Sequence, residues 1–134
     1  MINTLRLSDS LLNEIITYVN QHMPLEACGL LAGKNNQVEK MIGVLNQAQS
    51  PVRFVMDPYE QLRALDWIES NELDLVGIFH SHPTGPETVS PTDIAEAAYP
   101  VVHIILAPQG NAWFARGFWI ENGQVFDVTL QVES

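Results

Sequence analysis

An apolar run, Leu75-Val76-Gly77-Ile78-Phe79, ends abruptly on His80-Ser81-His82-Pro83. The run reads as a strand, and side chains on a strand alternate faces. His80 and His82 therefore point the same way, and Ser81 points to the other side. The loop from Pro83 to Val89 that follows holds two prolines and a glycine. The chain then resumes at Ser90-Pro91-Thr92-Asp93, with ten residues between His82 and Asp93. Ser90 can cap a helix, Pro91 takes the first helical position, and Asp93 falls in the first turn. Whatever the fold, it has to start a helix beside the end of a strand that carries two imidazoles.

The rest of the chain supplies the layers around that strand. Thr4 to Leu7 reads as a short strand. Ser8 or Asp9 can cap a helix running to His22, with Leu11, Leu12, Ile15, Ile16 and Val19 on one face, and Pro24 stops it. Ala27 to Ala32 reads as a buried strand, followed by a turn at Gly33-Lys34-Asn35-Asn36. Val38 to Leu45 and Val52 to Met56 are expected as strands. Asp57-Pro58 opens a second helix to about Asn71, with Leu62, Leu65, Trp67 and Ile68 as its core candidates. The helix begun at Ser90 is expected to reach Ala98. Val101 to Ala107 reads as another buried strand, and Trp113 to Ile120 with Gln124 to Gln131 as a hairpin around Glu121-Asn122-Gly123. Helices and strands are mixed without regular alternation. The expectation is one domain over residues 1–134, of mixed α/β (α+β-like) class, with a curved mixed β-sheet flanked by helices.

Six Lys plus Arg against sixteen Asp plus Glu give a net charge of −10. Nucleic-acid binding needs clustered positive charge, so that class is disfavoured, as is an anionic lipid surface. No apolar stretch approaches a membrane span, and the first residues lack a basic start and an apolar signal core. A cytoplasmic location is expected. The single cysteine, Cys28, rules out an internal disulfide and fits a reducing compartment.

Two residues along a strand span about 6.6 Å, so imidazoles at His80 and His82 can lean toward one ion. Asp93 is placed to complete a set of two histidines and one carboxylate, which leaves one tetrahedral position open, as in catalytic zinc sites. Taken singly, each residue has a plainer role: His-x-His as packing, Ser90 as a cap, Asp93 as an acid at the positive end of a helix. The roles are compatible, because a cap serine and a first-turn acid can fix the geometry of a site they line. Spacing does not identify a general base. Glu26, at the entry to a buried strand, is one candidate; Glu60, Glu69, Glu72 and Glu87 stay open.

Glu26, then His80-Ser81-His82-Pro83, then Ser90-Pro91-Thr92-Asp93 resembles the motif of the JAMM (MPN+) metalloprotease family: a distant Glu, His-Ser/Thr-His-Pro, and Ser-x-x-Asp. Glu26-Ala27-Cys28-Gly29-Leu30-Leu31-Ala32-Gly33 also resembles that family's first strand, and the likeness extends over roughly Leu7 to Val128. The resemblance implies a JAMM/MPN (cytidine-deaminase-like) architecture. It implies one Zn²⁺ ion on His80, His82 and Asp93. It implies that Glu26 takes a proton from the attacking water and passes it to the leaving amine, and that Ser90 donates a hydrogen bond to the developing oxyanion. The substrate it implies is a ubiquitin-like or small sulfur-carrier protein, cut after its C-terminal Gly-Gly. The short loop Pro83 to Val89 resembles the compact prokaryotic branch.

Two other functions compete. A non-catalytic MPN-type module could bind a ubiquitin-like partner without cutting it, but such relatives typically lack some ligands, and the full set is present here. A thiol hydrolase built on Cys28 would leave Asp93 and one histidine without a role. His103, in an apolar strand, reads as a core or edge residue. Trp113, Phe114, Phe118 and Trp119 read as hairpin packing, or, where exposed, as a partner or homodimer surface.

Overall fold

A computed structural model describes residues 1–134. Its elements are β1 (Thr4–Ser8), α1 (Asp9–Gln21), β2 (Cys28–Lys34), β3 (Gln37–Val44), α2 (Pro58–Ser70), β4 (Asp74–Ser81), α3 (Pro91–Glu96), β5 (Val102–Gln109), β6 (Ala112–Glu121) and β7 (Gln124–Glu133). The helix starts follow the capping residues. Ser8 Oγ accepts from Leu11 N–H at 3.0 Å, and an Asp57 carboxylate oxygen accepts from Glu60 N–H at 2.9 Å. The β2–β3 and β6–β7 hairpin turns take the left-handed backbone that Asn and Gly tolerate: Asn35 and Asn36 at φ 53° and 65°, Asn122 and Gly123 at φ 52° and 76°.

The curved sheet goes further than expected and closes. Its strands run β1-β3-β2-β4-β5-β6-β7, and β7 pairs with β1 in parallel. Two clusters of apolar side chains lie on opposite faces of β2 and β4. One joins Leu5, Leu7, Leu31, Phe79, Ile104 and Leu106 to Ile15 and Val19 of α1. The other joins Cys28, Leu30 and Ile78 to Ala64 and Ile68 of α2. Both faces of β4 are thus covered, which is why its sequence is continuously apolar instead of alternating. Gly29 is needed where β2 passes the core aromatic, because a Cβ there would collide with the Phe79 ring.

Three expectations are corrected. Val52 to Met56 is not a strand: only an isolated antiparallel bridge between Asn46 and Met56 forms. The Asn46 side chain takes over backbone bonding there. Its Oδ1 accepts from Ala48 and Val55 N–H, and its Nδ2 donates to the carbonyls of Arg53 and Glu26, all at 3.0 Å. On α2 the inward residues are Ala64 and Ile68, while Leu62 and Trp67 are exposed, so the buried stripe is narrower than the apolar pattern suggested. Helix α3 stops at Glu96, because Ala97 turns to an extended conformation. In the β6–β7 hairpin Phe118 and Trp119 are buried, whereas Phe114 is exposed. No helix is long and apolar enough to cross a membrane.

Candidate metal centre

The register of β4 sets the site. Cys28 pairs with His80 and Ile78 with His103, so His80 lies on the α2 side of the sheet, at the carboxyl end of the parallel β4–β5 pair. Such strand ends, where a crossover leaves the sheet, are where open α/β layers build their sites. His82 follows one residue beyond β4, and α3 returns Asp93 to meet it. Ser90 and Asp93 form a capping box: Ser90 Oγ accepts from Asp93 N–H at 3.0 Å, and Asp93 Oδ2 accepts from Ser90 N–H at 2.9 Å.

That same Oδ2 lies 3.2 Å from Nε2 of His80 and 3.2 Å from Nε2 of His82, and the two Nε2 atoms are 3.0 Å apart. A tetrahedral zinc with bonds of about 2.0–2.1 Å holds its ligand atoms roughly 3.3–3.4 Å apart. The triangle fits such an ion closely, and two nitrogens with one carboxylate are a suitable donor set for zinc. A single shared proton would satisfy only one edge of the triangle. Glu26 forms a looser cluster with His80 and His82, with all ligand atoms within 4.8 Å of one another. We take the tighter set, with Asp93, as the one that could hold the ion; Glu26 is left at a distance suited to contact through a water.

Burial and bonding tune each group. His82 Nδ1 lies 2.8 Å from the carbonyl oxygen of Pro86; with the proton assigned to Nδ1, it donates there and frees Nε2 for a metal. His80 is fully enclosed, which pushes its pKa down and favours the neutral, ligating form. Its Nδ1 has no partner; instead the Phe54 ring stacks on it at 4.4 Å between centroids. Burial would raise the pKa of Asp93, but its close contacts with His80 and His82 outweigh it and hold the carboxyl well below the usual range. Glu26 is 3% exposed, and its Oε1 has no partner. Burial raises its pKa to about 7, only partly opposed by His82. A carboxyl poised near neutrality is suited to taking up and returning a proton.

The Glu26 backbone is clamped. Its N–H donates to the Ser50 carbonyl at 2.9 Å, its carbonyl accepts from Asn46 Nδ2 at 3.0 Å, and the next N–H, of Ala27, donates to Ser81 Oγ at 2.8 Å. Ser81 thus uses its opposite-facing position to tie β4 to the chain that carries Glu26. Asn46, Phe54 and this role of Ser81 were not legible in the sequence. Asn46 sits in an unpatterned polar tract, and nothing in its spacing reveals that it is buried.

The raised pKa of Glu26 has a consequence for stability. In the metal-free protein the folded state keeps this proton more tightly than the unfolded chain does. Stability is therefore fully present below pH 4.5 and is lost as pH rises toward about 7. Metal-free Glu26→Gln escapes that loss. Thermal melts should show its advantage over metal-free wild type to be larger at pH 8 than at pH 4.5; a constant difference would contradict the shift.

The remaining candidates separate from the centre. The Glu60 side chain is exposed and accepts from Leu45 N–H at 2.9 Å. Cys28 is completely buried, donates to the Val44 carbonyl at 3.3 Å, and has its pKa pushed by burial to about 12. A thiol so protonated makes a poor nucleophile. His103 is buried on β5, and burial, with His80 nearby, lowers its pKa to about 4.

A mixed α/β layer with a His-His-Asp triangle at the end of a parallel strand pair, and a buried glutamate beside it, defines a domain built around a metal centre. Residues 8–120 match the model of the prokaryotic homologs of the JAB domain, and the chain belongs to that family. It is 38% identical over 112 residues to a desampylase of Pyrococcus furiosus, covering 81% of this chain and 77% of that protein. It is 37% identical over 115 residues to a Thermus thermophilus protein named "Probable TtuB-protein conjugate cleaving protease", covering 85% and 74%. Its fold matches the crystal structure of a JAB1/MPN domain protein from Archaeoglobus fulgidus with a TM-score of 0.60 at 20% identity, over 95% of this chain and 97% of the other.

Proposed function

We propose that this chain is a zinc-dependent peptidase or isopeptidase that hydrolyses the bond after the C-terminal Gly-Gly of a ubiquitin-like or sulfur-carrier protein. The observation that carries the reading is the 3.0–3.2 Å triangle of His80, His82 and Asp93 with the unpartnered Glu26 beside it. The names of the two relatives, a desampylase and a conjugate-cleaving protease, supply the substrate class.

Zinc, when bound, supplies a Lewis acid for the scissile carbonyl and makes water acidic enough to attack at neutral pH. His80, His82 and Asp93 would hold it. Glu26 accepts the proton of the attacking water on Oε1 and returns it to the departing amine, a use for which a pKa of about 7 is well matched. Ser90 Oγ accepts from Asp93 N–H, and its own hydroxyl proton is free to meet the carbonyl oxygen as negative charge develops there. The net charge of −10 favours a partner with a basic face and speaks against nucleic acid or anionic lipid. The lone reduced thiol suits the cytoplasm. An exposed Phe114 offers a small contact surface for a homodimer.

Ser90→Ala separates the two uses of that side chain. Loss of the cap should lower stability by about 1 kcal/mol, and loss of the oxyanion donor should lower kcat about 10²–10³-fold. Ser90→Thr retains both bonds and should restore most of each, as melts and single-turnover kinetics can show. The function itself is tested by incubating the zinc-loaded protein with sulfur-carrier proteins extended or conjugated beyond Gly-Gly and following mass. Chelator-sensitive release after Gly-Gly is expected. If the metal-loaded protein cleaves none of them, the chain is a binding module and the peptidase reading fails.

A further inference from the structure

A cavity of about 190 Å³ adjoins the metal centre, sharing His80 and Asp93 with it. Glu26, His82 and Ser90 do not line it, so the chemistry described above leaves it without a use. Its walls are mainly apolar, among them Phe54, Met56, Ile78 and Tyr99. Two contacts tie its sides together. Arg53 Nε meets Glu96 Oε1 at 3.3 Å, and Gln61 Nε2 donates to Tyr99 Oη at 3.2 Å, so the 52–56 segment and α2 are fastened to α3 and the chain after it. The cavity is therefore a built feature, held between two otherwise separate stretches of chain.

One polar group on its lining is unexplained. His103 is 5% exposed, borders the cavity, and has an Nε2 with no hydrogen-bond partner. A buried polar atom without a partner is a standing penalty, and a ligand atom that bonds to it removes that penalty. The room available is that of one side chain: an engineered apolar cavity of roughly 150 Å³ accepts benzene.

We propose that this cavity seats the side chain of the residue directly after the scissile bond, and that His103 selects for one of aromatic size or smaller that ends in a hydroxyl. The inference rests on the peptidase reading. Glycines before the bond carry no side chain, so the acyl half of the substrate has nothing to place in a cavity that begins at two of the metal ligands. The leaving half does. A long cationic side chain gains little there, because Glu96 is paired with Arg53 and Asp93 with the histidines. A hydroxyl supplies the bond His103 lacks, while the methyl or ring beneath it meets apolar walls.

The test uses zinc-loaded Glu26→Gln protein, so that binding is read without turnover. Peptides containing Gly-Gly-Thr, Gly-Gly-Val, Gly-Gly-Tyr and Gly-Gly-Phe are titrated calorimetrically, and cleavage of the same peptides by wild type is followed in parallel. In at least one of the near-isosteric pairs, Thr against Val or Tyr against Phe, the hydroxyl member should bind about tenfold more tightly. His103→Leu should abolish that preference, and His103→Gln, which retains a hydrogen-bonding group, should keep part of it; melts of both variants check folding. Equal affinities within both pairs, no binding of any peptide, or a preference unchanged in His103→Leu overturns the proposal. A His103-dependent preference in binding without cleavage by wild type overturns the peptidase reading, and with it any scissile bond, but keeps the cavity as the seat of the residue that follows Gly-Gly.

Discussion

Glu26→Gln protein should purify folded, carry zinc and turn over about 10²–10⁴-fold more slowly than wild type. The reason lies in the separation of duties at the centre. Glu26 is not part of the 3.0–3.2 Å triangle, so an amide in its place leaves the three proposed metal donors intact. Its carboxylate alone can take up a proton and give it back; a glutamine side chain cannot accept one near neutral pH. The backbone clamps at Ser50, Asn46 and Ser81 act on main-chain atoms and survive the change. Zinc content by elemental analysis and kcat on one cleavable Gly-Gly substrate decide the matter together. Normal zinc with wild-type turnover would remove Glu26 from the chemistry. Lost zinc with lost turnover would instead make it a ligand, as its place in the looser cluster with His80 and His82 would then imply.

Asp93→Ala should be the most damaging single change, because it removes two functions of one oxygen. Asp93 Oδ2 is the only carboxylate oxygen in the triangle, and it also accepts the Ser90 N–H that closes the capping box. Losing a partner that merely orients a ligand typically weakens metal binding 10–100-fold; losing the ligand itself should exceed about 100-fold. Turnover should fall to the background of the assay. Chelator competition monitors the first loss, and amide hydrogen exchange over residues 90–96 the second. Asp93→Asn is the informative partner variant: it retains an oxygen for the Ser90 N–H but presents a neutral, weaker donor to a cation. It should exchange like wild type in α3 while still losing zinc. If both variants hold zinc as wild type does, Asp93 is only a helix-start residue.

Much of this arrangement was legible before any coordinates. His-x-His at the end of an apolar strand, followed by a Ser-Pro-Thr-Asp helix start, specifies a strand, a loop and a cap whose local geometries are each set by short-range rules. Those rules bring His80, His82, Ser90 and Asp93 together with little help from the rest of the fold. Glu26 was different: it is far away in sequence, and only the family motif singled it out from other glutamates. The structure then brings it in through β2, whose Cys28 pairs with His80. Long-range, unpatterned partners stayed invisible. Asn46 replaces a strand with side-chain bonds, and no periodicity reports a buried asparagine. The exposure of Leu62 and Trp67 was also hidden, because an apolar stripe states which face turns inward but not how wide the opposing surface is. Closure of the sheet depends on β1 meeting β7, the two most distant strands in the chain.

The double duty of Asp93 Oδ2 bears on how such a domain can change over evolutionary time. A lineage released from selection for chemistry cannot shed this proposed ligand as a neutral step, since the same substitution unfastens the start of α3. Glu26 carries no comparable structural debt through its side chain, and at high pH its loss even relieves strain on the metal-free fold. Descendants that keep the domain as a binding platform should therefore lose the glutamate first and the aspartate last. Their sequences would pass through a stage that still captures zinc and no longer uses it.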